Sequence, residues 1–187
     1  DELEERGETS VDNTLQRISG VSTVNGLVIR GVTEDGGLGN STTNSTISVT
    51  TDGIRISDYR NSGGIGVIST WDVEQVEVFR GSQSTQSGRN ALAGAITVEG
   101  TKPQFFSEYR LRLGITEHKD FDDADLGYLA AFVLNTPLVE DRLAFRLSVD
   151  KQKTEDYEDL QTIRAGLLYE STDSLNSGLT YTDIDND

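Results

Sequence analysis

Residues 108–116 read EYRLRLGIT. Tyr109, Leu111, Leu113 and Ile115 fall on one parity, and Glu108, Arg110, Arg112, Gly114 and Thr116 on the other. In an extended chain this puts apolar groups on one face and charge on the opposite one. The alternation recurs downstream. Leu126, Tyr128, Ala130, Phe132 and Leu134 share a face, and Leu143, Phe145, Leu147 and Val149 oppose Arg146, Ser148 and Asp150. Ile163, Ala165, Leu167 and Tyr169 then oppose Arg164, Gly166 and Glu170, and Leu179 and Tyr181 oppose Gly178, Thr180 and Thr182. Consecutive segments of period two predict about five strands of an antiparallel sheet.

Two architectures share that pattern. A water-soluble sandwich buries the apolar face on a core and wets the other. A membrane barrel turns the apolar face to lipid, alternates short turns with longer loops, and carries aromatic residues at the borders of its apolar band. Here the polar stretches 118–124 and 152–160 alternate with shorter connections at 136–140 and 171–174, and Tyr109, Tyr128, Tyr169 and Tyr181 sit near segment ends. The barrel is the expectation, with a soluble or surface β-rich binding or adhesion module as the alternative. Five strands cannot close a membrane barrel, which needs about 8 or more. The barrel is therefore expected to continue past Asp187.

Upstream the pattern changes. Ser10 before Val11–Ile18, closed by Gly20, reads as a capped short helix, and Asp1 before Leu3, Glu4 and Glu5 reads as another that ends at Gly7. Short strands are expected at 26–30, 47–51, 73–79 and 95–98, separated by Gly, Ser, Thr and Asn-rich turns, of which 34–45 is the longest. This is a small mixed α/β domain, and it meets the period-two segments at a boundary near 101–104.

Composition narrows the classes. The 187 residues carry 16 Lys plus Arg against 32 Asp plus Glu, a net charge of −16 that disfavours nucleic acid as a partner. There is no Cys, so no disulfide framework and no thiolate metal site, and no Met, so the chain reads as a processed or excised piece. The longest apolar run, 128–134, is far short of the ~20 residues of a spanning helix. A spanning strand needs only ~9–11, which a mean hydropathy of −0.43 conceals.

Residues 73–98, VEQVEVFRGSQSTQSGRNALAGAITV, closely resemble the end of the plug domain of TonB-dependent outer-membrane receptors. Further landmarks follow that family's order. DELEERGETSVDNTLQRISGVST (1–23) is similar to its paired short helices. LVIRG (27–31) and VTTDGIRI (49–56) look like its next two strands, and LNTPLVEDRLAFRLSVD (134–150) like the first periplasmic turn and following strand of its barrel. Two positions depart from the family pattern, Ser82 where Pro is usual and Ser87 where an aromatic is usual. Gly81, Gly88 and Gly94 are retained.

The resemblance implies an α+β plug domain over 1–100 lacking its N-terminal part, a linker at 101–104, and the first strands of a transmembrane β-barrel over 105–187, roughly 22-stranded in the family. It implies energy-coupled uptake of a scarce large ligand across the outer membrane of a Gram-negative bacterium. A ferric siderophore is the expected ligand; cobalamin, haem and oligosaccharide are alternatives. The implied partners are a periplasmic TonB-type energy-transducing protein and outer-membrane lipid. Arg30 in IRG and Arg80 in FRG match arginines that latch plug to barrel through wall glutamates. Read without the family, both are ordinary surface or locally paired arginines. Apex loops that meet ligand correspond to 34–45, with Asp35, Gly36 and Gly37, and to 58–64, with Asp58, Tyr59, Arg60 and Asn61. Arg60 suits an anionic ligand and Tyr59 a flat or sugar-like one. Arg110, Arg112, Arg146 and Arg164 are expected to face a polar lumen.

Chemistry of other kinds finds no support in the residues. A lone His118 builds neither a catalytic triad nor a metal centre. The acidic clusters at 120–125 and 183–187 read as solvated loops; the second has the Asp-x-Asp-x-Asp opening of a calcium loop without its Gly and distal Glu. The glycines of 88–94 are followed by no GK[ST]. No enzyme, resident cofactor or structural metal is expected.

Overall fold

The computed structural model describes residues 9–24, 26–34, 45–56, 68–83, 91–119, 124–154, 157–172 and 175–186. The chain divides into two compact units, Asp1–Gly100 and Thr101–Asp187.

In the first unit, Ser10 caps α1 (Val11–Gln16). Its backbone is extended and its hydroxyl accepts from the Asn13 N–H at 3.4 Å. The helix is two residues shorter than the sequence suggests, because the chain turns at Arg17 and runs to Gly20 at φ +80. Val11 and Leu15, one turn apart, are fully buried. Three two-residue strands follow as an antiparallel meander: β1 (Val21–Ser22), β2 (Val28–Ile29) and β3 (Val32–Thr33). A second sheet has the order β5-β4-β7-β6, from β4 (Ile47–Thr51), β5 (Ile54–Arg55), β6 (Val73–Arg80) and β7 (Gly94–Gly100). Its central pair, β4 and β7, is parallel, and both strands are buried along most of their length; the flanking pairs are antiparallel. Ile29, Ile47, Val49, Ile68, Ile96 and Val98 are fully buried, each burial stabilising by about 1.5–3 kcal/mol.

The strand expected at 26–30 ends in a two-residue turn, and the stretch 49–56, one strand by the resemblance, is interrupted by another just after β4, which fills the expected 47–51. Ile29 pairs with Val32 across Arg30 and Gly31 (φ 51 and 79), and Thr51 with Ile54 across Asp52 and Gly53 (φ 50 and 77). Positive φ at both central residues is the hairpin geometry that matches strand twist. The Asp52 carboxylate also accepts from the Gly100 N–H at 2.7 Å, tying the turn to the end of β7.

The second unit is a five-stranded meander of consecutive antiparallel neighbours: β8 (Glu108–Lys119), β9 (Ala124–Val139), β10 (Leu143–Thr154), β11 (Tyr157–Thr172) and β12 (Leu175–Asn186). The strands run 12 to 16 residues, so β8 to β11 extend through stretches expected to be loop. Polar residues there continue the ladder past the apolar band, where neither face needs apolar groups. The first two Asp of the terminal Asp-x-Asp-x-Asp are also strand, with Asp183 opposite Ile163 and Asp185 opposite Gln161; Asp187 lies outside the described residues. Of the connections only 140–142 is described, so the expected alternation of long and short ones falls mostly outside the described residues.

The faces of this sheet are inverted relative to a soluble protein. Leu111, Leu113, Ile115 and Leu179 are 70 to 78% exposed and Tyr181 is 60%, while Arg146 and Asp150 are 3% and 1% exposed. Arg110, Arg112, Arg146 and Arg164 all lie on this polar face, as alternation requires. A soluble sandwich demands the reverse. The exposed band also slides along the sheet. One row of paired residues runs Tyr109, Leu134, Leu147, Ala165, Tyr181. Tyr109 is the first exposed apolar residue of β8, whereas Tyr181 is the last of β12.

Candidate functional site

The two arginines singled out in the sequence converge on one turn of the first unit. The turn closes α1 and needs Gly20 at φ +80. Arg80, the last residue of β6, sends Nη1 to the Ser19 carbonyl at 3.0 Å. Arg30, in the β2–β3 hairpin, donates its backbone N–H to the Gly20 carbonyl at 2.7 Å, and its Cγ lies 3.9 Å from where a Cβ on Gly20 would stand. Both side chains are exposed. Arg80 is thus locally held, while the Arg30 guanidinium makes no ion pair among the described residues.

Arg30 also sits in a left-handed conformation, φ 51, that Asn, Asp or Gly adopts at lower cost. The strain is offset by the Gly20 bond and by Gly31. Gly94 fixes the neighbouring strand: a Cβ there would stand 2.5 Å from the Phe79 carbonyl and 2.8 Å from the Ile29 side chain, so only glycine lets β7 begin against β2 and β6. Gly81, directly after Arg80, has φ +133; Gly88 lies outside the described residues.

The expected apex-loop contacts, Asp35, Gly36, Gly37, Asp58, Tyr59, Arg60 and Asn61, lie outside the described residues, as does the His118 side chain. The base of the first loop is described. Thr46 donates its N–H to the Glu34 carbonyl at 2.7 Å and its hydroxyl to the Thr33 carbonyl at 2.8 Å, so the chain leaves and returns at one point. No group of His, Asp and Glu able to hold a metal occurs among the described residues.

The second unit holds a polar row that sequence reading missed. Register aligns Glu108, Asn135, Arg146, Gly166 and Thr180 across all five strands. Glu108 accepts from Arg146 Nη1 at 2.9 Å and pairs with Arg110 Nε at 3.2 Å. Asn135, fully buried, accepts from the Gln104 N–H at 3.0 Å and donates to the carbonyls of Gln104, at 2.9 Å, and Phe106. An Asn inside a strand on the buried face, where Asn is a poor strand former, was the available signal.

A small α/β domain followed in the same chain by an antiparallel wall whose apolar side faces outward is the build of a plugged membrane β-barrel. The family model of the TonB-dependent receptor plug domain matches residues 1–95, and the chain belongs to that family. The family is one of transport receptors rather than enzymes.

Two comparisons extend the match past the plug. The ferrioxamine B receptor of Salmonella typhimurium is 29% identical over 188 residues, covering 92% of this chain and 24% of that protein. The chain therefore spans about a quarter of that relative's length. Among solved structures, the siderophore receptor PirA from Acinetobacter baumannii superposes with a TM-score of 0.75 at 18% identity, over 95% of this chain and 29% of that one. The ferric yersiniabactin uptake receptor FyuA from Yersinia pestis gives 0.74 at 19%, over 97% and 29%. These likenesses carry the fold: plug plus first strands of the barrel. Among the described residues no helix is long and apolar enough to cross a membrane, which says nothing of strands.

Proposed function

We propose that this chain is the plug and the first barrel strands of a TonB-dependent receptor that takes up a ferric siderophore across the outer membrane. The observation that carries the reading is the inverted sheet joined to a plug domain, apolar outside and charged inside. That arrangement is stable only with lipid on one face and a filled polar lumen on the other. Siderophore as cargo is supported by the ferrioxamine B receptor relative.

In this reading the wall turns Arg110, Arg112, Arg146 and Arg164 to the lumen. Arg30 and Arg80 present guanidinium groups from one plug corner to carboxylates on barrel strands other than β8 to β12, each charge-assisted contact worth about 1.5–3 kcal/mol. An Arg at a left-handed position where Asn would be cheaper supports a role outside the hairpin. Ligand meets the plug apex at Asp35, Gly36, Gly37, Asp58, Tyr59, Arg60 and Asn61. A periplasmic TonB-type protein then draws on the plug with energy from the inner-membrane proton gradient. No covalent step is involved.

The test is uptake of radiolabelled iron as ferrioxamine B by cells whose sole siderophore receptor is the full-length protein. Uptake abolished by a protonophore, with surface binding retained, is expected. Binding and uptake that are both absent with every ferric siderophore offered, by a receptor present in the outer membrane, would overturn the cargo assignment.

A further inference from the structure

We infer that residues 103–106 form a strap fixed to the barrel wall and that Asn135 is the positioning residue that holds it, so that movement of the plug during uptake stops at Pro103. The inference rests on the receptor reading above for what pulls on the chain, and on the second unit alone for what resists.

The strap crosses one row of the sheet. Asn135 in β9 reads Gln104 as a neighbouring strand would, accepting from its N–H and donating to its C=O, and gives its other amide hydrogen to the Phe106 carbonyl. Only a carboxamide offers both an acceptor and two donors in this geometry; a carboxylate cannot donate and a hydroxyl cannot span both groups. Two strands away on the same row, Gly166 leaves room for the buried Pro103 ring. A Cβ at Gly166 would meet Pro103 Cγ at 3.0 Å and Cδ at 3.2 Å. Pro103 has a fixed φ and no N–H to satisfy, which suits a segment pressed flat without a ladder of its own. Between the two anchors stands Arg146, held by Glu108. The strap is therefore gripped at both ends by groups that belong to the wall, and its release requires leaving a fully buried amide without partners, which is costly.

The consequence is a division of labour along the chain. Tension applied to the plug reaches Thr101 and Lys102 and meets a fixed point at Pro103–Phe106, so the wall keeps its first strand in register while the plug rearranges.

The experiment uses the full-length receptor in outer membranes, spin-labelled at Gln104→Cys or at Leu92→Cys. The Gln104 side chain is exposed and its strap bonds are all backbone; Leu92 is an exposed plug position. With ferrioxamine B added to whole cells whose inner membrane is energised, the label at 92 is expected to change mobility while the label at 104 keeps its immobilised spectrum. Asn135→Ala and Asn135→Asp are expected to mobilise the label at 104 and slow maximal uptake, with ligand affinity and the heat-modifiable folded barrel retained. Asp preserves volume but cannot donate, so it separates hydrogen bonding from packing. A wild-type label at 104 that becomes mobile on energisation overturns the inference, as does an Asn135→Ala receptor whose 104 label stays immobile. Should the variants fail to insert, the wild-type comparison of 92 with 104 still decides. Should uptake prove independent of energy, the receptor reading falls, and the 104 label with and without Asn135 judges the strap alone.

Discussion

The Arg146 guanidinium reaches over β9 to the Glu108 carboxylate, 2.9 Å away and two strands distant. Arg146 is 3% exposed, so its charge depends on partners within the wall. Glu108 is the first residue of β8 and pairs with Arg110 as well. Glu108→Ala is expected to destabilise the barrel by about 1–3 kcal/mol, and Glu108→Gln by less, because the amide retains one acceptor. Urea unfolding of the full-length receptor from lipid vesicles measures both; equal stability of the Ala variant and the parent would refute the role given to this pair.

Gly94→Ala places a methyl 2.5 Å from a backbone carbonyl that is itself part of the β6–β7 ladder. The Ile29 side chain can swing away and the Phe79 carbonyl cannot. A loss of about 1–3 kcal/mol is expected. Trp71, the one tryptophan in the sequence and buried, reports the loss as an earlier urea midpoint in a polypeptide of residues 1–100.

Arg30→Asn separates stability from function. Asn-Gly is the preferred pair for this hairpin, so the plug should gain roughly 0.5–1 kcal/mol. If the guanidinium latches plug to wall, uptake should fall in the same variant, in the manner of a stability–activity trade-off. A variant that is more stable and transports as the parent does would leave the latch without support.

Leu113 lies in the middle of the exposed apolar stretch of β8. Leu113→Arg is expected to cost about 2–4 kcal/mol in a bilayer, as for a cation near the midplane of a barrel's lipid face. On a wetted sheet the same change would be nearly neutral. Comparison of folding yield into vesicles distinguishes the two environments.

Much of the second unit was legible because a period of two is unambiguous when one face meets lipid and the other a polar lumen. Tyr109 through Ile115 and Leu143 through Val149 needed no further information. Strand ends were not legible: beyond the band both faces are polar, so 118–124 and 152–160 lose the alternation although β8 and β10 continue into them. In the plug, Ser10 gave the helix start, and the apolar runs gave β4, β6 and β7. The hairpins were missed for different reasons. Asp52-Gly53 is a turn dipeptide directly after the strand expected at 47–51, masked only in the resemblance that runs VTTDGIRI on as one strand, whereas Arg30-Gly31 carries no turn signature, since Arg is an unusual residue at positive φ. The convergence of Arg30 and Arg80 on Ser19–Gly20 follows from packing of segments 61 residues apart, which no local pattern encodes. Asn135 shows in the sequence only as an Asn inside a strand, and its strap is hidden likewise, since a backbone-directed amide leaves no complementary residue to find.

The row from Tyr109 to Tyr181 has a mechanical corollary. For both ends of that row to keep the band level with one bilayer, the strands must lean by roughly 45°, near the tilts of closed barrels. A load along the membrane normal, such as a pull from the periplasm, then divides about equally between the strand direction and the direction across the ladder. The lengthwise share is spread over every rung of the ladder at once, while the crosswise share passes from strand to strand, so a leaning wall distributes a tug among neighbouring strands rather than leaving it on one.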